Sequence, residues 1–346
     1  MNSQETAVAS AKQAAPEEYL LEIAFSALRS QALYVAAKLG IADLLASGPR
    51  SVQELAAETK TNERALYRVL RTLVSADVFQ ELEGEVFALN STAQPLQTGV
   101  VNSLRNGLIF MGEEWHWRVW GNLLASVGTG KPSWKKVHGA EVFDYFADHS
   151  EEAEIFNRAM TDISAGVAPA VVEAYDFSEV RVLADIAGGH GLLLAKILKA
   201  NPDAKGILFD VPSVIEGAGK VLETEGVKAR VRTVAGDFFK SVPAGADTYI
   251  MKHIIHDWDD EHSLRILRNI NAVSLPKTKV LLVESVVPED SRPHYSKLLD
   301  LEMLVSPGGV ERTTEEYRRL FAAAGFRLTR IVPTRSAYSV IEAVKE

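Results

Sequence analysis

Two groups of residues in this 346-residue chain have types and spacings suited to chemistry. The first is the run Arg181-Val-Leu-Ala-Asp-Ile-Ala-Gly-Gly-His-Gly191, with Asp210 following after roughly 20 residues. Gly188, Gly189 and Gly191 permit a tight turn and let a ligand approach bare backbone. Free N–H groups at a helix start favour a polar or negative ligand group, and an acid closing the next strand can hold ribose hydroxyls. The second group is scattered: Gly236-Asp237-Phe238, Lys252, His256-Asp257, Glu284 and Glu311. Here Asp237 can accept from an adenine amino group and Phe238 can cover the ring. His256 brings the side chain that titrates nearest neutral pH.

The glycine spacing narrows the nucleotide. A dinucleotide fingerprint needs Gly-x-Gly-x-x-Gly, its last glycine allowing close helix–strand packing. From Gly189 and Gly191 the third position falls on Leu194, so that fingerprint fails. What remains is acid-x-small-x-Gly-x-Gly, formed by Asp185, Ala187, Gly189 and Gly191. A turn for ribose and a small charged tail, with no pyrophosphate to cradle, fits S-adenosylmethionine. The alternative is a plain strand–turn–helix without a ligand.

The elements that position these groups alternate from residue 176 onward, which predicts a mainly parallel sheet with helices on both faces. Strands are expected near 181–186, 205–210, 230–235, 246–251 and 279–285. Helices are expected near 191–200, 213–224, 260–274 and 314–324, and 326–332 with 336–344 forms a closing antiparallel pair. In such a sheet ligands gather at the carboxyl ends of the strands, and both groups of residues fall there except Glu311, which lies in a loop further on.

The N-terminal part reads differently. Residues 16–45 recur apolar at three- and four-residue steps, which is helical. Ser51 with Glu54 has the capping-box spacing for Val52–Thr59, a helix follows over Glu63–Ala76, and 78–81 with 86–89 makes a hairpin around Gly84. This is a winged-helix order, and Arg50, Arg64, Arg68 and Arg71 keep DNA binding open. Interleaved acids oppose it, because DNA affinity rests on neutralising phosphates. The long apolar faces favour a dimerisation domain over residues 16–100, packing on a second subunit. Residues 101–175 are a helical, aromatic-rich connector in which Phe110, Met111, Trp115, Phe156 and Met160 are either core or an apolar substrate wall.

Composition bounds the rest. A hydrophobic share of 47% is ample for a core, while the formal net charge of −9 argues against nucleic-acid or anionic-membrane surfaces. Without cysteine there is no disulfide, thiolate chemistry or cysteine metal site. No apolar run reaches the roughly 18 residues of a membrane span. Residues 1–15 lack the basic start and apolar core of a secretion signal, so a frayed N-terminus on a cytoplasmic enzyme is expected.

Taken together, Asp185-Ile-Ala-Gly-Gly-His-Gly191, Leu208-Phe-Asp-Val-Pro212, Gly236-Asp-Phe-Phe239, Lys252, His256-Asp-Trp258, Glu284 and Gly308-Gly-Val-Glu-Arg-Thr313 resemble the class I S-adenosylmethionine-dependent O-methyltransferases of the caffeic acid and carminomycin type. With the N-terminal helices and Phe156-Asn-Arg-Ala-Met160, the resemblance covers almost the whole chain. It implies a Rossmann-like α/β methyltransferase sheet over 176–346, behind a winged-helix-like dimerisation domain. It implies His256 as general base, flanked by Glu284 and Glu311. It implies S-adenosylmethionine held by Asp185, Gly188, Gly189, Gly191, Asp210, Val211, Gly236, Asp237, Phe238, Lys252 and Ser164, leaving as S-adenosylhomocysteine, without metal. A hydroxylated aromatic acceptor then meets Phe110, Met111, Trp115, Phe156, Met160, Ile163, Asp257, Met303 and Leu304.

The chemistry is consistent: a phenol with pKa about 10 needs a base at neutral pH, and a histidine supported by carboxylates can serve. Each residue also has a plainer reading. His256 can be a loop histidine, Lys252 and Asp237 surface charges, and Glu284 or Glu311 a partner of Arg312. His253-x-x-His256 suggests a metal pair, but a third ligand at suitable spacing is missing. Three departures from the family stand out: Ala187 replaces the first glycine of the turn, and Ile163 and Ser306 replace polar groups of some phenolic members. Competing readings are an N- or C-methyltransferase on the same fold and a ligand-sensing winged-helix regulator.

Overall fold

A computed structural model describes residues 15–346, so the expectation for the first fifteen residues falls outside it except at Ala15. The described chain divides after Val100 into two compact units.

The first unit begins with the helix Pro16–Lys38, whose Pro16 fits the first turn and whose Glu17 and Glu18 complement the helix dipole. Gly40, at φ 68°, turns the chain into Ile41–Leu44. Strand β1 (Arg50–Ser51) runs into the helix Val52–Thr59, where Ser51 and Glu54 complete the capping box. The helix Glu63–Val74 is capped by Asn62 and buries Leu66, Leu70 and Leu73 on one face. Strands β2 (Gln80–Leu82) and β3 (Val86–Ala88) form the expected hairpin, and β1 adds to β3 antiparallel. A two-residue strand has no periodicity to read, so β1 was not foreseeable. Along the first helix Tyr19, Leu20, Leu21, Ile23, Phe25 and Leu28 are each more than half exposed, an apolar face that this chain leaves uncovered.

The second unit opens with the helices Arg105–Gly112, Glu114–Trp120, Leu123–Thr129, Trp134–His138, Val142–Asp148 and Ser150–Ala174. Strands β4 (Val182–Ile186), β5 (Lys205–Asp210), β6 (Val231–Ala235), β7 (Thr248–Lys252) and β8 (Lys279–Glu284) are parallel. After the two-residue β9 (Val286–Val287) and β10 (Arg312–Thr313), β11 (Phe326–Pro333) and β12 (Ser339–Lys345) close the sheet. The order is β11-β12-β8-β7-β4-β5-β6, with β12 antiparallel to both neighbours.

Alternation along each strand divides the core into two layers, as a sheet covered on both faces requires. Leu183, Leu208, Ile250, Leu281 and Val283 pack beneath the helices Leu192–Ala200 and Pro212–Thr224 and the end of Ser150–Ala174. Ala184, Phe209, Met251 and Leu282 face Asp260–Val273 and Thr314–Ala323. Register aligns the strand ends: Ile186 lies opposite Phe209, Asp210 opposite Ala235, and Lys252 opposite Val283. The candidate residues therefore leave the sheet along one edge. The helix Tyr295–Val305, which the sequence reading left without an element, carries Met303 and Leu304. Among the described residues no helix is long and apolar enough to cross a membrane.

Candidate active site

The glycine turn is built mainly from backbone. Ala187 sits at φ 54°, Gly189 at 60° and Gly191 at 83°, where Gly191 starts the helix Leu192–Ala200. The left-handed region costs a residue with Cβ about 1–2 kcal/mol, so Ala187 is a strained substitute for glycine. Gly188 is required by contact, since an added Cβ would stand 2.5 Å from the Asp185 carboxyl carbon. An added Cβ on Gly189 would meet nothing within 4 Å, leaving that side of the turn open to a ligand. The Gly189 and Val211 N–H groups donate to the two oxygens of Asp210 at 2.8 and 2.7 Å, fixing that carboxylate at the strand end.

Beneath the turn Asp185 is 1% exposed, and its Oδ2 has no hydrogen-bond partner. Burial pushes its pKa up to about 7 against the pull of Lys252. Lys252 is held below its ordinary value by burial, which Asp185, Glu284 and Asp257 oppose. Gly236 must lack a side chain because a Cβ would lie 2.5 Å from the Phe209 ring. Asp237 folds back to accept from the Phe239 N–H at 2.8 Å. Phe238 packs at 4.7 Å on Phe239, which packs at 4.7 Å on Trp258. An orphaned buried acid, an open glycine turn, a fixed strand-end carboxylate and an aromatic cover suit a ligand with an ammonium group, ribose and adenine.

The second centre is the turn after β7. His253 adopts φ 54° and Ile255–Asp257 forms a single 3₁₀ turn. Glu284 Oε1 accepts from the N–H groups of Ile254 and Ile255, both at 3.0 Å. The His256 carbonyl accepts from Val310 N–H at 2.9 Å, and Gly309 is packed so closely that a Cβ would lie 1.9 Å from that oxygen. The imidazole Nδ1 of His256 meets Glu311 Oε1 at 2.6 Å and stands 3.7 Å from Glu284 Oε2. Nε2 is 3.5 Å from Asp257 Oδ1, so Asp257 addresses the same ring. Burial alone would lower the His256 pKa; Glu284, Asp257 and Glu311 outweigh it and push the ring up to about 10. Burial raises Asp257 to about 6 against the attraction of His256, and burial likewise raises Glu284.

Several neighbours differ from the sequence reading. Arg312 does not pair with Glu284 or Glu311; its salt bridge runs to Asp260 at 2.8 Å. Asp300 accepts from the Glu311 N–H at 2.9 Å; an acid within Leu298–Leu304 was the available signal. His253 is buried and neutral, its pKa held well below the ordinary value by burial, Lys252 and His256. Its ring lies 4.1 Å from Tyr338.

The aromatic segment is more core than surface. Phe110 and Trp115 are 9% and 8% exposed and pack with Trp134 and Phe146. Phe156 stacks on Phe146 at 4.9 Å, and Met160 flanks the cluster. Met111 is exposed, Met303 is buried, Leu304 is partly buried and Ile163 packs toward the sheet. The Ser164 hydroxyl donates to the Met160 carbonyl at 2.7 Å within its own helix. A group that the sequence reading missed anchors this segment: Glu302 accepts from His116 Nε2 at 2.8 Å and Trp120 Nε1 at 2.7 Å.

Comparison with known proteins places these features in context. Residues 120–327 match the model of an O-methyltransferase domain, and 21–98 match an O-methyltransferase dimerisation domain. A phenazine O-methyltransferase of Lysobacter antibioticus is 47% identical over 314 residues, 91% of this chain and 92% of that protein. A mitomycin biosynthesis 6-O-methyltransferase of Streptomyces lavendulae is 37% identical, covering 93% of each. The crystal structure of human N-acetylserotonin methyltransferase with S-adenosylmethionine has a TM-score of 0.88 at 29% identity, covering 97% of this chain and 99% of that one.

Proposed function

The chain belongs to the S-adenosylmethionine-dependent O-methyltransferases, and from that premise we propose that it methylates a phenolic hydroxyl of an aromatic small molecule, with His256 as general base. The observation that carries this reading is the His256 ring, held at Nδ1 by Glu311 at 2.6 Å and buried among three carboxylates. With Nδ1 committed to Glu311, Nε2 is the nitrogen left to receive a proton.

The carboxylates also match the base to its task. An imidazole of ordinary pKa near 6.5 would take a phenol proton of pKa about 10 uphill, by about 5 kcal/mol. With the ring raised to about 10, the transfer is nearly level. The neutral ring grows with pH, so activity on a phenol should rise from neutral toward alkaline pH. Glu284 then has two duties: Oε1 fixes the turn, and its charge supports the imidazolium.

The cofactor supplies an electrophilic methyl group. Asp185, Asp210, Asp237, Phe238, Lys252 and the turn at Gly188, Gly189 and Gly191 are the residues that would hold it. Asp257 would orient the acceptor beside His256. Met303, Leu304, Phe156 and Met160 would give it an apolar wall, while Trp115 supports that wall from within the core. The exposed face of Pro16–Lys38, which from residue 21 lies inside the matched dimerisation domain, supports a homodimer.

His256→Ala tests the assignment. Turnover of phenols, including a hydroxyphenazine, followed by mass spectrometry, should fall about 1000-fold, while calorimetric binding of S-adenosylhomocysteine stays intact. Undiminished turnover would remove His256 as base. Anilines in the same panel distinguish O- from N-transfer.

A further inference from the structure

Among the described residues Arg312 is the lysine or arginine least exposed to solvent, at 1% exposure. Its guanidinium reaches back across the turn that carries His256. Nη1 donates to the Ile255 carbonyl at 3.1 Å, and Nη2 to the Trp258 carbonyl at 2.9 Å. Nη2 also meets Ser263 Oγ at 3.2 Å, and that hydroxyl lies 3.2 Å from the same two carbonyls. Nε and Nη2 engage Asp260 Oδ1 at 3.0 and 2.8 Å, and Nη1 lies 3.3 Å from the Val310 carbonyl.

We infer that Arg312 is a positioning residue for the base, setting the aim of His256 by bridging the carbonyls on either side of it. The inference rests on the reading of His256 given above. Residues 255 and 258 bracket His256, so the distance between their carbonyls fixes the pitch of the short turn and thereby the direction of the imidazole. A planar fork with several donors can hold two acceptors at a set spacing, which a lysine ammonium cannot do with the same rigidity. The adjacent residue in the chain is Glu311, whose carboxylate grips Nδ1. Glu311 and the first residue of β10 thus deliver, side by side in the chain, the group that orients the ring and the group that shapes its backbone. The charge partner Asp260 is 82% exposed, so the fork's buried work is directed at the turn.

Arg312→Lys keeps the charge and removes the fork. Displacing the ring by about 1 Å should lower kcat about 100-fold. The KM for a hydroxyphenazine and the S-adenosylhomocysteine affinity should stay within about threefold, since neither ligand is held by this side chain. The alkaline-rising limb of the pH–rate profile should shift, because the His256–Glu311 contact relaxes. NMR of the imidazole carbons should show the same shift in the resting protein. Ser263→Ala removes one hydroxyl from the same seat and tests the idea should the lysine variant not fold; it should lower kcat about fivefold, in keeping with loss of one hydrogen bond. Normal kcat and an unmoved His256 titration, with only a lower Tm, would overturn the inference and leave Arg312 a packing residue. Failure of the wild-type protein to methylate any phenol would instead overturn the proposed function, while the NMR titration still reports on Arg312.

Discussion

The glycine turn after β4 and the histidine turn after β7 end adjacent strands, yet they are held in opposite ways. The glycine turn is shaped from within by three left-handed residues, Ala187, Gly189 and Gly191, together with one short link to Asp210. The histidine turn is shaped from outside. Glu284 holds two of its N–H groups, Val310 and Arg312 hold its carbonyls, and Glu311 holds the ring. A binding cradle needs open backbone and tolerates a local solution. On the reading proposed for His256, a buried base needs fixed orientation and a tuned proton affinity, and both require groups brought from distant sequence.

That contrast predicts separable failures. After His256→Ala and Arg312→Lys, the largest effect is expected at Glu311→Gln. Removing the charge and weakening the grip on Nδ1 should lower kcat about 10- to 100-fold. It should also move the rising limb of the pH–rate profile to lower pH, because Glu311 is among the groups that raise His256. Cofactor affinity should remain. A collapse of cofactor binding in this variant would mean the two turns are not independent.

In the glycine turn, Asp210→Ala should weaken S-adenosylhomocysteine about tenfold, the scale of one or two hydrogen bonds, with kcat at saturation little changed. Calorimetry with steady-state kinetics separates the two quantities.

Asp185→Asn should sharpen the same comparison through stability. The folded-state pKa of Asp185 is raised to about 7, above the unfolded carboxyl near 3.9. The folded state therefore holds the proton that the unfolded state releases, and stability falls as pH rises from about 4 to 7. The asparagine variant should lose that dependence and melt higher at neutral pH without ligand, while binding the cofactor more weakly. An unchanged melting curve would show that the buried acid carries no such cost.

The smallest effect is expected at Ala187→Gly. Relief of left-handed strain, about 1–2 kcal/mol, is largely offset by the entropy of glycine, about 0.4–1 kcal/mol. A rise in Tm of a few degrees would result, measurable by calorimetry.

How much of this was legible follows the same division. The parallel strands were readable because their apolar runs end in glycine and acid, and the capping box at Ser51 marks a helix start directly. The motifs gave the members of both turns. The partners were not readable: nothing in the neighbourhood of Arg312 says that it bonds to carbonyls 54 and 57 positions earlier. Glu302 lies in an apolar helix and binds an imidazole and an indole more than 180 residues away. The aromatic residues near 115 were legible as apolar but not as core or wall, since period alone does not say what lies on the other side.

What the sequence determined by itself is the local physics: which strands form, where glycine must sit, which carboxylate closes β5, and which histidine follows the central strand. The tertiary structure decided the rest. Only the fold gathers Glu284, Glu311, Asp257 and Arg312 around His256, and only burial makes their charges strong enough to lift its pKa to about 10. Desolvation and Coulomb interaction depend on distances in space, which a linear order of residues does not contain.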